Sequence, residues 1–198
     1  MCGIIGYIGK QNAAPVLLAG LKQLEYRGYD SSGVAVLGKS GLRSFKAAGK
    51  LNQLESRLPK RLSGRVGIGH TRWATHGEPS DVNAHPHLDA SGRIAVVHNG
   101  IIENAAQLRG RLQADGVEFV SDTDTEVLAH LIASIDAELE DAVREAITSA
   151  HGTYGIAVVD ERDPYKIVIA RNGSPVIIGI GHREMFVASD VSALVRHT

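Results

Sequence analysis

Met1-Cys2-Gly3-Ile4-Ile5-Gly6 opens the chain, and it decides how the rest is read. It holds the only cysteine, placed directly behind the initiator methionine. A side chain as small as cysteine at position two normally lets methionine aminopeptidase remove Met1. Cys2 would then carry a free α-amine and a thiol on one residue. An α-amine titrates near ~7.7–8.0 and a thiol near ~8.5, so the first can act as base for the second around neutral pH. N-terminal threonine combines nucleophile and base in the same way. The alternative is a small buried hydrophobe at the start of a strand, and position alone leaves both open. The run Cys2 to Gly9 is apolar and punctuated by glycine at 3, 6 and 9, the mark of a buried strand with close backbone approaches.

Outward from this strand, Pro15 opens a helical pattern through Val16, Leu17, Leu21 and Leu24 to about Tyr26. Gly28-Tyr29-Asp30-Ser31-Ser32-Gly33 is turn chemistry. Val34 to Leu37 and Leu42 to Ala47 read as a strand pair around Gly38 to Gly41, and Leu51, Leu54 and Leu58 as a short helix face closed by Pro59. Arg65 to His70 and Ile94 to His98 read as strands on either side of a long Pro-, Asn- and His-rich loop, Thr71 to Gly92. Loops of that length in a compact domain are functional or disordered. Helices are predicted over Asn104 to Asp115, Thr123 to Ile135 and Leu139 to Ala150, then strands over Tyr154 to Val159, Lys166 to Ala170, Val176 to Ile180 and Met185 to Ala188. Strands, helices, then strands again, without sustained βαβ alternation, predict an α+β fold with largely antiparallel sheets. Ser189-Asp190 is a helix start close to the last residue, which gives the expectation of a domain cut from something longer.

The chain's 198 residues fit one domain, and 43% hydrophobic content with a net charge of −1 is a globular composition. No basic excess or polybasic run points to nucleic acid. The longest apolar runs are too short to cross a bilayer, and no signal peptide opens the chain. A single cysteine excludes an internal disulfide and thiolate-rich zinc sites, and suits a reducing cytosol.

Four stretches could carry chemistry. His70-Thr71-Arg72-Trp73-Ala74-Thr75-His76-Gly77 leaves a strand and holds the only tryptophan. The planar fork of Arg72 suits a carboxylate, although a polar loop with one packed Trp would look the same. His98-Asn99-Gly100 contains Asn-Gly, the strongest short hairpin signal. Such a turn could also aim the Asn99 amide and the Gly100 N–H at one point, as an oxyanion hole does. Ser121-Asp122-Thr123-Asp124-Thr125-Glu126 is a helix cap by composition, and Asp124 at that helix N-terminus could receive a ligand ammonium group. His85-Pro86-His87 invites a metal, but no third ligand is evident. The other histidines, including His130 and His151, read as packing or surface residues.

Taken together, Met1-Cys2-Gly3-Ile4, Glu25-Tyr26-Arg27-Gly28-Tyr29-Asp30-Ser31, His70 to Gly77 and Val97-His98-Asn99-Gly100-Ile101-Ile102-Glu103-Asn104 resemble the class II glutamine amidotransferases. Within these the chain is similar to the glutaminase domains of the glucosamine-6-phosphate synthase family (glutamine–fructose-6-phosphate aminotransferase, isomerizing). Asn83-Ala84-His85-Pro86-His87, Ser121 to Glu126 and Arg171-Asn172-Gly173-Ser174-Pro175 add to the match, which runs over nearly the whole chain in the family's order. The resemblance implies a four-layer αββα sandwich of the N-terminal nucleophile (Ntn) hydrolase type, with residues 1–198 forming one glutaminase domain. It implies that Cys2 attacks the side-chain amide of L-glutamine, that Asn99 and Gly100 hold the oxyanion, and that a γ-glutamyl thioester is hydrolysed to glutamate with release of ammonia. Arg72 would clamp the substrate carboxylate and Asp124 its ammonium, while Trp73, Thr75, His76 and Gly77 would belong to a loop closing over the substrate. Arg27 would lie near the nucleophile without touching the substrate, linking the two glycine-rich segments. No metal or cofactor is implied. The partner would be a covalently linked sugar-phosphate isomerase domain, absent from this chain, in a cytoplasmic homo-oligomer serving hexosamine biosynthesis. Other class II amidotransferases remain the alternative within the class, and a non-catalytic glutamine-binding module the alternative outside it if Met1 is retained.

Overall fold

In a computed structural model, residues 2–73 and 78–195 are described. Two antiparallel sheets face each other. The first has six strands, β1 (Gly3–Ile8), β2 (Ser31–Gly38), β3 (Gly41–Ala48), β4 (Val66–Arg72), β9 (Ile177–Gly181) and β10 (Glu184–Ala188), in the order β3-β2-β4-β1-β10-β9. The second has four, β5 (His87–Leu88), β6 (Ile94–Ile102), β7 (Gly152–Asp160) and β8 (Val168–Asn172), in that order.

Strand side chains alternate between faces, and here both faces are buried. Ile4 of β1, Ala35 and Leu37 of β2, and Val66 and Ile68 of β4 meet Ala95 and Val97 of β6 and Ala157 and Val159 of β7 in the layer between the sheets. Their neighbours Ile5, Tyr7, Val34, Val36 and Phe186 point the other way. There they pack under α1 (Ala13–Leu24) and α2 (Leu51–Arg57), which cover the first sheet. On the second sheet Ile94, Val96, Ile156 and Val158 pack against α3 (Ala105–Ala114), α4 (Asp124–Ala133) and α5 (Leu139–Ser149). The layers therefore run helix, sheet, sheet, helix, the αββα order expected from the resemblance. Helix α4 is buried from Thr125 to Ile132, because it is wedged between its sheet and two other helices.

Most predicted elements appear within a few residues of their expected ends. Asn99-Gly100 does not make a hairpin. Strand β6 runs straight through it and stays paired with β7 as far as Ile102 opposite Gly152. Gly100 takes a φ of +133° inside the strand, with its missing Cβ facing the Thr153 carbonyl oxygen at 2.0 Å. The Asn-Gly pair thus supplies a local distortion, and the pairing with β7 overrides the turn. The predicted helix after Ser189-Asp190 is a single 3-10 turn, Val191–Ala193, among the described residues.

Candidate active site

The site lies where β1, β4 and β6 reach the same end of the sandwich. The register of β1 against β4, Gly3 opposite Thr71 and Ile4 opposite His70, brings Cys2 level with the end of β4. The Cys2 Sγ accepts from the Trp73 N–H at 3.2 Å and its thiol faces the Trp73 carbonyl at 3.6 Å. Alternation then fixes who else is present. Arg72 and His70 share the inter-sheet face of β4 with Ile68, and Asn99 shares that of β6 with Val97. So His70 and Asn99 meet across the gap, His70 Nε2 lying 2.9 Å from Asn99 Oδ1. Asn99 Nδ2 donates to the Cys2 carbonyl at 3.0 Å.

Asp124 arrives from the other layer. Thr123 caps α4, accepting from the Glu126 N–H. The loop before the cap is held by the Glu126 carboxylate, which accepts from the Val120 and Ser121 N–H groups at 2.8 and 2.7 Å and from the Ser121 hydroxyl at 2.6 Å. Burial pushes the Glu126 pKa up, but these bonds and His130 outweigh it and bring it to about 2. Asp124 Oδ2 accepts from the Ile102 N–H at 2.8 Å, tying the start of α4 to the end of β6. Cys2, Arg72, Trp73, Gly100 and Asp124 thereby line one cleft of about 30 Å³, room for a water or two. Four larger cavities do not touch Cys2: three, of about 480, 620 and 400 Å³, lie elsewhere, and one of about 290 Å³ reaches Thr123 and Asp124.

Burial raises the Cys2 thiol pKa, against the Trp73 N–H and the Arg72 charge, which lower it. The surroundings alone do not ionise the sulfur, and its hydrogen bonds go to Trp73 rather than to a histidine. His85 Nε2 and His98 Nδ1 both lie on the Thr125 hydroxyl, at 2.8 and 3.0 Å, and burial depresses the pKa of each. His70, in contact with Asn99, is brought to about 3 by burial.

The remaining predicted residues are placed as follows. Arg27 pairs with Asp190 at 2.5 Å, and Gly28 beside it leaves so little room that a Cβ would sit 2.6 Å from the Arg72 carbonyl carbon. The segment Glu25 to Asp30 is thus pressed against Arg72 and Trp73, with Tyr29 edge-on to the Trp73 ring at 5.4 Å. Thr75, His76 and Gly77 lie outside the described residues. His85-Pro86-His87 is buried and enters no metal-binding group: none of three or more His, Cys, Asp or Glu side chains occurs among the described residues. Sequence reasoning missed His70 and His98 as partners of the site. Their signal was the alternation along β4 and β6.

A glutamine amidotransferase domain family matches residues 70–196. The chain belongs to this family. Glutamine amidotransferase domains with similar sequences occur in proteins named glutamine–fructose-6-phosphate aminotransferase [isomerizing]. Those of Chlorobaculum tepidum and Symbiobacterium thermophilum are each 56% identical to it, and that of Methanosarcina mazei 52%, all across the whole chain. The chain spans about a third of the length of these relatives (33–34%). Among solved structures, a glutamine phosphoribosylpyrophosphate amidotransferase from B. subtilis superposes with a TM-score of 0.85 at 28% identity, over 98% of this chain and 43% of that one. A second, described as the allosteric regulatory enzyme of purine biosynthesis, gives 0.86 at the same identity and coverage. The amidotransferase domain is therefore an Ntn-type αββα sandwich.

Proposed function

We propose that this amidotransferase domain hydrolyses glutamine to glutamate and ammonia, and that it does so as the ammonia-supplying part of a glucosamine-6-phosphate synthase. The observation that carries the first part is the convergence of Cys2, Gly100, Arg72 and Asp124 on one cleft from separate strands and a helix start, with Asn99 bonded to the Cys2 carbonyl beside it. Identities of 50–56% with the fructose-6-phosphate enzymes, against 28% with the purine-pathway structures, favour the second.

The chemistry follows from what is and is not available to the thiol. With the Cys2 sulfur bonded to Trp73 rather than to a histidine and the thiol pKa raised, the base within reach is the α-amine of Cys2 itself once Met1 is removed. It takes the thiol proton as sulfur attacks the carboxamide carbon. The C–S bond forms, and negative charge gathers on the amide oxygen opposite Asn99 Nδ2 and the Gly100 N–H. The amine returns its proton to the leaving nitrogen, the C–N bond breaks, and ammonia departs from a γ-glutamyl thioester. Water then cleaves the C–S bond and restores the thiol. Arg72 holds the substrate carboxylate and Asp124 its ammonium, so the substrate is anchored by a strand of the first sheet and a helix start on the second. In the full-length protein the ammonia passes to a linked sugar-phosphate isomerase domain, in a cytoplasmic homo-oligomer.

The test is a glutaminase assay on chain whose intact mass shows Cys2 as first residue, with glutamate and ammonia both measured. Turnover is expected from that chain and not from one retaining Met1. Cys2→Ala is expected to abolish turnover while calorimetry still detects glutamine. Full activity with Met1 attached would refute the role given to the α-amine.

A further inference from the structure

Along and behind the cleft lies a column of buried histidines that the chemistry above does not use, two of which, His85 and His98, line it. The His70 and His85 rings lie tilted against each other with centroids 4.2 Å apart, and His87 meets His85 edge-on at 4.8 Å. All are at least 95% buried, as is His98. A carbonyl oxygen can only accept, and this decides the protons. His70 Nε2 lies 3.1 Å from the His98 carbonyl as well as 2.9 Å from Asn99 Oδ1. It must therefore carry the hydrogen, leaving His70 Nδ1 bare, and that buried nitrogen has no hydrogen-bond partner. His98 Nε2 faces the Thr153 carbonyl at 3.4 Å, so its Nδ1 accepts from the Thr125 hydroxyl. Thr125 in turn accepts from His85 Nε2, and His85 Nδ1 is likewise bare and unpartnered. The two carbonyls thus fix the proton on His70 and on His98, while the Thr125 hydroxyl also lies 3.4 Å from Asp124 Oδ1.

We propose that His70 is a positioning residue for the oxyanion hole: its Nε2–H, fixed by the His98 carbonyl, holds Asn99 Oδ1 and so turns the Asn99 NH₂ toward Cys2. An asparagine amide has two nearly isosteric orientations. With Oδ1 toward the cleft it would set a lone pair against the developing oxyanion. The donor behind it excludes that orientation. Burial keeps His70 and His85 uncharged, so no mobile proton competes for Asn99 Oδ1. This rests on the glutaminase role proposed above and assigns the residue that orients its oxyanion donor.

Because Asn99 would act on the transition state, the effect should appear in kcat. Removing an oxyanion donor outright costs about 10²–10³ in kcat, so misorienting it through His70→Leu should lower kcat about 10- to 100-fold with KM for glutamine little changed. His70→Gln, whose Nε2 reaches a similar place, should recover most of that loss. In an Asn99→Ala background His70→Leu should add nothing, because the group it orients is gone. Equal losses in both backgrounds, a rise in KM alone, or no recovery with His70→Gln would overturn the assignment. A readout independent of turnover is the ring-nitrogen NMR of the ¹⁵N-histidine-labelled chain, in which His70 must show its proton on Nε2. A proton on Nδ1 would sink the proposal even in an active enzyme. If the unmodified chain with Cys2 first hydrolyses no glutamine, the glutaminase role fails and the tautomer still decides whether His70 orients Asn99.

Discussion

Single positions in this domain are decided by what surrounds them more than by residue type, and two glycines show the contrast. At Gly100 the backbone has a φ of +133°, and a Cβ would meet the Thr153 oxygen at 2.0 Å and His98 Nε2 at 3.0 Å. Strain of this kind costs about 1–3 kcal/mol before any clash is counted. Gly100→Ala is therefore expected to lower the melting temperature and, by shifting the Gly100 N–H, to remove most glutaminase turnover. Gly110 sits exposed inside α3, with nothing within 4 Å of its missing Cβ. Alanine there removes only the excess flexibility of the unfolded chain, so Gly110→Ala should raise stability by about 0.5–1 kcal/mol and leave activity alone. Thermal melts of the two variants beside the parent check both signs. A stable, active Gly100→Ala would mean that β6 does not carry this distortion.

At the scale of elements, the start of α4 carries the most consequence. Glu126 turns both carboxylate oxygens back onto Val120 and Ser121, and the loop so fixed delivers Asp124 to the cleft. Glu126→Gln keeps the shape but sets an NH₂ against donors, which should cost about 1–3 kcal/mol. It should also raise KM for glutamine more than it lowers kcat, since Asp124 would bind substrate rather than reacting atoms. The folded-state pKa of about 2 lies below the unfolded value, so this contribution is complete above the ordinary glutamate range and fades as pH falls toward 2. The gap in stability between parent and variant should shrink over that interval, and a gap independent of pH would refute the charge-based account. This element was legible in the sequence, because Ser121 to Glu126 is a cap by composition and caps are local. Asn99-Gly100 was not, since whether a turn signal wins depends on the partner strand, and β7 lies some fifty residues away in sequence. His70 was half-legible: alternation puts it on the face of Ile68, but which strand stands opposite is settled only when the sheets pack.

For the whole molecule, the inter-sheet layer is apolar around Ile4, Ile68, Val97 and Val159 and becomes a column of imidazoles toward the site. Burial depresses His70 and His87 to about 3 and His85 well below its ordinary value, because a charged ring in that layer would lose its water. The unfolded chain takes up these protons near pH ~6.5, whereas the folded chain refuses them until about 3. Between those values the unfolded state binds more protons, so stability is full above pH ~6.5 and falls as pH drops through the window. Once well inside it, each such histidine contributes a slope of about 1.4 kcal/mol per pH unit, so His70 and His87 together give nearly 3. A domain stable by about 5–15 kcal/mol cannot sustain that slope for long. Urea unfolding at pH 7, 6 and 5 should show a steep loss, with acid unfolding well before pH 3. His87→Gln should reduce the slope by about one proton, provided the variant folds at pH 7. Stability that stays level down to pH 4 would mean that these rings are already charged in the folded protein, and the neutral His70 that holds Asn99 in place would not exist.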